Sequence, residues 1–335
     1  MRVLVTGPGG FLGGEITDQL LARGDTVVGV ARGEYPRLIE KGVDYRRGDL
    51  TDATFTHNAV EGVDAVIHTA AVAGVWGPYE HFHRINTQAT SNVIDACRAN
   101  GIETLVFTSS PSVTFGGNDQ RGVDESEPYP EEYLCAYPKT KALAEKEVLK
   151  AHDTSTLKTC ALRPHLVWGE NDPHLLPRVI ERAKKGRLRI VGDGRNRIDT
   201  VHVVNAAAAH LDALDRLQSE PERVGGRAYF IAQDEPVECG WWLRTICEIA
   251  GAPIPNKHIS FGAAYRIGGW LETAYRWTGR TQEPPMTRFV AAQLAKDHFF
   301  DISAAKERLG FRVRVTMEDG LDRLRNAWKQ DASRK

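Results

Sequence analysis

"TGPGGFLG" (6–13) continues an apolar run, "RVLVT" (2–6), and opens "GFLGGEITDQLLARG" (10–24), whose apolar residues recur at helical spacing. The run reads as a buried strand. The longer stretch reads as a helix that stops at Gly24, a residue suited to a C-cap. The glycines between them have separate tasks. Gly7 permits a tight turn, Gly10 lets backbone approach a pyrophosphate, and Gly13 lets the helix pack closely on the sheet. The helix N-terminus then offers free N–H groups and a positive dipole end to phosphates. Phe11 and Leu12 lie in the same loop and join the expected contact set. The spacing G-x-x-G-x-x-G is one residue off the commonest dinucleotide fingerprint. Such a string alone fits an ordinary strand–turn–helix corner equally well; its place at the head of a βαβ series decides for dinucleotide binding.

That series runs outward through the first half of the chain. Strands are expected at 26–32, 43–50, 63–71, 104–110 and 157–164, with helices at 87–101 and 140–152. Regular alternation of this kind predicts a doubly wound parallel sheet with right-handed crossovers. After Pro164 the pattern loosens. Helices are expected at 175–188, within 201–217 after a loop, and from 240 onward, with one more strand at 227–232. The expected fold is α/β: a Rossmann-type doubly wound parallel sheet with a smaller, mostly helical substrate lobe. Residues 1–168 and 199–235 are assigned to the cofactor-binding domain, and 169–198 and 236–330 to the substrate-binding lobe.

Composition narrows the function classes. The chain has 335 residues, 41% hydrophobic and 26% charged, which suits one large soluble domain or two lobes. Lys+Arg is 43 against Asp+Glu 44, so no basic excess points to nucleic acid. The five cysteines are scattered and include no C-x-x-C, as expected for reduced thiols and a cytoplasmic location. No signal peptide and no membrane-spanning run are expected. The polar tail "DASRK" (331–335) is expected to fray.

The end of the second strand bears on the choice of cofactor. An acid there hydrogen-bonds the 2′-hydroxyl of NAD. The sequence reads "GVARGEYPR" (29–37), with Ala31 and Arg32 where an acid would stand. Arg32 is suited to a 2′-phosphate, so NADP (NADPH) is favoured over NAD. In "GDL" (48–50), Asp49 is placed near the adenine amino group, with Leu50 beside it; Ala70 and Ala71 are small enough to lie against the cofactor.

"AYPKTKALAE" (136–145) carries Tyr137 and Lys141 one helical turn apart, on one face. A Lys ammonium there would favour the phenolate and lower the Tyr pKa from its ordinary value of about 10. Such a pair could protonate the oxygen of a ketone as hydride reaches its carbon.

The chain resembles the extended short-chain dehydrogenase/reductases through "TGPGGFLG", "GDL", "HTAA", "FTSSPSV", Tyr137-x-x-x-Lys141, "LRPHLVWG" (162–169) and "DISAAKERLGF" (301–311). Within that family it is most similar to the 3β-hydroxysteroid dehydrogenase-like branch. In that branch the likeness is greatest to the reductases of 2-alkyl-3-oxoalkanoates in bacterial olefin biosynthesis, through "TSSPSVT", "AYRIG" (264–268) and "EPPMTRF" (283–289). The resemblance implies catalysis by Tyr137 and Lys141 with Ser110, Ser109 and Ser112 being weaker candidates, and a supporting Asn86. It implies contact of Lys141 with the nicotinamide ribose. The expected reaction is NADP(H)-dependent interconversion of a ketone and a secondary alcohol in lipid metabolism, most of all reduction of a β-keto acid. A 3β-hydroxysteroid-type dehydrogenase, a nucleotide-sugar epimerase or dehydratase, and a non-catalytic NADP binder are the alternatives.

Sugar-nucleotide enzymes of the family carry an Asn where this chain has Leu166, which counts against that rival. The stretch 261–279 holds Phe261, Tyr265, Trp270, Tyr275 and Trp277, which fits a core-facing helix and an apolar lid equally. Arg266, Arg276, Arg280 and Arg288 are candidates to meet a substrate carboxylate. His81 and His83 lack further ligands, and no metal is expected. The expected partner is a small hydrophobic substrate, with no nucleic acid. Peripheral membrane contact, a homodimer and a pathway-enzyme partner are compatible with the sequence.

Overall fold

The computed structural model describes residues 1–333, with side chains through 330. The tail expected to fray lies outside the described side chains. Seven strands form one parallel sheet: β1 (Arg2–Thr6), β2 (Thr26–Ala31), β3 (Asp44–Arg47), β4 (Ala65–His68), β5 (Thr104–Thr108), β6 (Lys158–Pro164) and β7 (Ala228–Ile231). Their order across the sheet is β7-β6-β5-β4-β1-β2-β3, with parallel register throughout. The sequence crosses to the other side after β3, so a crevice forms between β1 and β4 at the strand C-termini.

Both faces of the sheet are buried, which explains its continuous apolar strands. Helices α1 (Phe11–Ala22) and α4 (Val203–Ser219) cover one face, and α2 (Ala89–Ala99) and α3 (Ala136–Lys150) the other. The observed elements are shorter than expected at several strand ends. β3 stops at Arg47 and β5 at Thr108, leaving Asp49, Ser109 and Ser110 in the loops that follow. Helix α3 begins four residues earlier than the expected 140, so Tyr137 sits in its first turn.

The remaining chain builds a third core around Trp168, Trp242 and Leu321. It contains strand pairings that the sequence reading did not foresee. Gln120–Val123, Arg197–Ile198, Val237–Glu238 and His298–Phe300 form a small four-stranded sheet. Helix α5 (Phe261–Trp277) packs beside the helix Arg288–Ala295. Among the described residues no helix is long and apolar enough to cross a membrane.

Candidate active site

The groove starts at the glycine turn. Gly7 adopts φ +69°, a left-handed conformation that disfavours a side chain. A Cβ on Gly13 would lie 2.2 Å from the Gly7 carbonyl oxygen, so the first turn of α1 can sit there only without one. The loop thus presents bare backbone to the space above β1. Thr6 Oγ1 accepts from the N–H groups of Thr69 and Ala70, drawing the β4 loop against the same turn.

A groove of about 520 Å³ runs along these strand ends. Its walls include Gly7, Gly10, Phe11, Leu12, Gly13, Arg32, Asp49, Leu50, Ala70, Ala71, Tyr137 and Lys141. The structure therefore brings every expected cofactor contact to one cavity. Ser110 is not on the wall; Ser109 is. Sequence reasoning also missed Tyr35, Thr69, Asp172 and His174 on the wall. Tyr35 was detectable only as an aromatic in the loop after β2. Asp172 caps the helix Leu175–Lys184, accepting from the N–H groups of His174, Leu175 and Leu176, and so carries that helix end to the groove.

The groove fits a nicotinamide dinucleotide. The glycine cradle admits a pyrophosphate where any side chain would fill it, and α1 has no acid in its first turn to repel one. At the far end Arg32 lies near Asp49, whose carboxyl, despite the upward push of burial, is held below the ordinary value by hydrogen bonds from Thr51 and by Arg32 and Arg84. At the near end stands Ser109, whose buried Oγ has no hydrogen-bond partner among the described residues.

Helix α3 sets the reactive pair. Tyr137 reaches the groove from the first turn and Lys141 follows one turn later, 2% exposed. Burial pushes the Tyr137 phenol above its ordinary pKa, and hydrogen bonding with Ser110 only partly opposes this. The direction is thus upward, where a lowering by Lys141 was expected. The physical reason is visible in Lys141 itself. Its Nζ donates to the Thr108 carbonyl at 2.6 Å and lies 4.0 Å from the centre of the Phe107 ring. Burial lowers its pKa to about 7, with Glu145 pulling it back up, so its charge is weakened where it was expected to act.

Asn86 anchors the helix from below. It lies in the π-helical turn His83–Gln88, accepts from Val72 N–H at 2.8 Å, and donates to Val72 O and Thr140 Oγ1. It therefore joins the loop after β4 to α3, which is a positioning task. Ser110 Oγ lies 2.8 Å from Ser112 Oγ and accepts from Ser112 N–H, starting the turn Pro111–Thr114.

A second cleft, of about 580 Å³, adjoins this pair. Cys135 and Ala136, immediately before Tyr137, form one wall. Trp76, Tyr79 and Tyr133 line it, as do Arg276 and Arg280 at the end of α5. Arg288 also lines it but is held by Glu272, at 2.9 Å from Nε. Arg266 does not reach the cleft. Leu166, at φ +42°, turns its side chain into the third core, so no amide is offered at that position.

Residues 4–261 match the 3-beta hydroxysteroid dehydrogenase/isomerase family. The chain belongs to that family. It is therefore an NAD(P)-dependent oxidoreductase of the extended short-chain dehydrogenase/reductase class. It is 46% identical to the 2-alkyl-3-oxoalkanoate reductase of Shewanella oneidensis over 97% of this chain and 85% of the relative. It is 34% identical to the bovine sterol-4-alpha-carboxylate 3-dehydrogenase, decarboxylating, over 96% of this chain and 91% of the relative. Among solved structures, MoeE5 in complex with UDP-glucose and NAD superposes with a TM-score of 0.74 at 26% identity, covering 99% of this chain and 100% of that one. The family resemblance read from the sequence is borne out, as is the fold class.

Proposed function

We infer that the chain is an NADP(H)-dependent reductase that converts a 2-alkyl-3-oxoalkanoate to the 2-alkyl-3-hydroxyalkanoate. The observation that carries the reading is a cleft lined by Arg276 and Arg280 on one side and by Cys135 and Ala136, the residues just before Tyr137, on the other. The names of the two curated relatives share one chemical feature, a reacting carbon at position β to a carboxylate. A site for such molecules needs a proton donor at the carbonyl and a cation at the acid. Tyr137 supplies the first, and Arg276 or Arg280 the second.

In this reading residues 1–168 and 199–235 hold the cofactor, and 169–198 and 236–330 the substrate. The nicotinamide, when bound, supplies the hydride. Tyr137, kept protonated by its buried setting, gives its proton to the carbonyl oxygen as charge develops there. In this reading Ser110, hydrogen-bonded with Tyr137, also meets that oxygen, and Lys141 holds the phenol and the ribose in register. Arg32, which with Ala31 stands at the end of β2 where an acid would bind the NAD ribose, supports NADP over NAD.

The bovine relative supports a second reading, dehydrogenation of a carboxylated sterol. A sugar nucleotide is disfavoured by the apolar Leu166. The test is absorbance loss at the nicotinamide band with NADPH or NADH, offering a 2-alkyl-3-oxoalkanoate, a 3-oxosterol and UDP-glucose. Rapid NADPH consumption with the oxo acid is expected. Turnover of the sterol or the sugar nucleotide without the oxo acid would overturn the substrate assignment, and equal use of NADH would overturn the cofactor assignment.

A further inference from the structure

Helix α5 (Phe261–Trp277) is packed inside out. Its buried side carries Ala264, Gly268 and Glu272. Gly268 is pressed so closely on the neighbouring chain that a Cβ would lie 2.6 Å from the Thr287 carbonyl carbon. Glu272, 3% exposed, accepts from the backbone N–H of Arg288 at 2.7 Å and from its Nε at 2.9 Å. Phe261 and Tyr265 pack inward at its start, but both tryptophans point the other way. Trp270 is 82% exposed, Trp277 90% and Ile267 46%.

At about 100° per residue these three fall with Ala274 in one stripe along the helix. A helix that served only its own core would reverse this pattern. Single exposed apolar residues need no explanation, but a stripe with two nearly bare indoles marks an interaction surface.

The charges around the stripe choose the partner. The helix holds three charged residues, Arg266, Glu272 and Arg276. The acid is inside, neutralised by Arg288, so the outward surface is purely cationic. Arg280, just past the helix end, is exposed as well. Indole rings favour the headgroup level of a bilayer, and arginine stems reach from there to phosphates. Among the described residues no helix can span a membrane, so α5 would lie on a surface rather than cross it.

We propose that α5 docks the protein on an anionic phospholipid surface, with Ile267, Trp270 and Trp277 seated among the headgroups and Arg266 paired with lipid phosphate. Tyr275, Arg276 and Arg280, at the C-terminal end of the same helix, line the second cleft. Docking therefore brings the mouth of that cleft to the lipid surface, where a long-chain acid partitions. The docking itself does not depend on the substrate reading, because it is measured without turnover.

The test is co-sedimentation of the purified protein with vesicles of phosphatidylcholine alone or mixed with phosphatidylglycerol. Binding to the mixed vesicles, weakened by added salt, is expected. The Trp270→Ser/Trp277→Ser variant should lose about tenfold or more in partitioning, and Arg266→Glu should lose the preference for phosphatidylglycerol. NADPH affinity and melting temperature, unchanged in both variants, verify the fold. Wild-type protein that stays in the supernatant, or a serine variant that partitions as well as the wild type, would overturn the proposal. So would a lipid-free dimer that the serine variant dissolves, because the face would then belong to a second copy of the chain.

Discussion

The dinucleotide groove and the cleft beside it are similar in size and are built by opposite means. The groove is made of backbone: a glycine turn, strand ends and a helix N-terminus drawn from neighbouring crossovers. The cleft is made of side chains from three distant stretches, around Trp76, Tyr133 and Arg276. A backbone site tolerates almost no added atom where chain meets chain. A side-chain site can change its occupant by exchanging one or two residues. Conserving the first and varying the second is how one fold serves several substrates.

The largest effect should come at the start of α3, where Tyr137 lines the groove and Cys135 and Ala136 line the cleft. Tyr137→Phe removes the proton donor while keeping its ring. Turnover should fall about a thousandfold. Cofactor affinity, measured by fluorescence titration, should change little. Turnover near the wild-type rate would show that another group gives the proton.

Next is a single methyl in the groove. Gly13→Ala places a Cβ 2.2 Å from the Gly7 carbonyl oxygen, and neither backbone segment can yield cheaply. Thermal or denaturant melts should show a loss of about 1–3 kcal/mol, with cofactor affinity weakened alongside. An equally stable variant with unchanged affinity would mean that the turn is looser than its geometry. The cleft should respond differently. Arg280→Ser should raise KM for an oxo acid about tenfold and leave kcat and melting temperature nearly unchanged. A fall in kcat with constant KM would place Arg280 at the reacting carbon instead of the carboxylate.

The same contrast explains what could be read from the sequence. Glycine spacing and strand–helix alternation report backbone geometry, so the sheet and all twelve expected groove contacts were legible. Ser110 was ranked above Ser109, but the end of β5 at Thr108 puts Ser109 and not Ser110 on the groove wall, a point that no local pattern reports. The pairing of Gln120 with His298 has no local signature, since its partners lie far apart in the chain. Helix α5 shows apolar residues at helical spacing in sequence, but spacing alone does not tell which face is buried. Lys141 was read as a charge acting on Tyr137, whereas burial weakens the charge of Lys141 itself.

That last reversal gives the smallest effect, and one whose sign follows from proton counting. In the folded protein burial lowers the Lys141 pKa to about 7, against an ordinary value of 10.5. Below about pH 7 the amine is charged in both states, and the folded protein carries the full penalty of a buried charge. Between about 7 and 10.5 the unfolded chain holds a proton that the folded chain has released. Stability therefore rises with pH across that window, by at most about 1.4 kcal/mol per unit. The buried thiols act in the opposite direction higher up, since burial raises Cys97, Cys160 and Cys239 to about 12 from an ordinary 9.0. Asp199, raised by burial to about 7, still opposes the rise near pH 7. The lysine is therefore isolated by the difference between wild type and Lys141→Met in denaturant melts between about pH 7 and 8.5. The wild-type protein should gain stability across this range, and Lys141→Met should flatten the rise. Parallel slopes in the two proteins would show that Lys141 keeps its proton when folded, and with it the charge first expected to act on Tyr137.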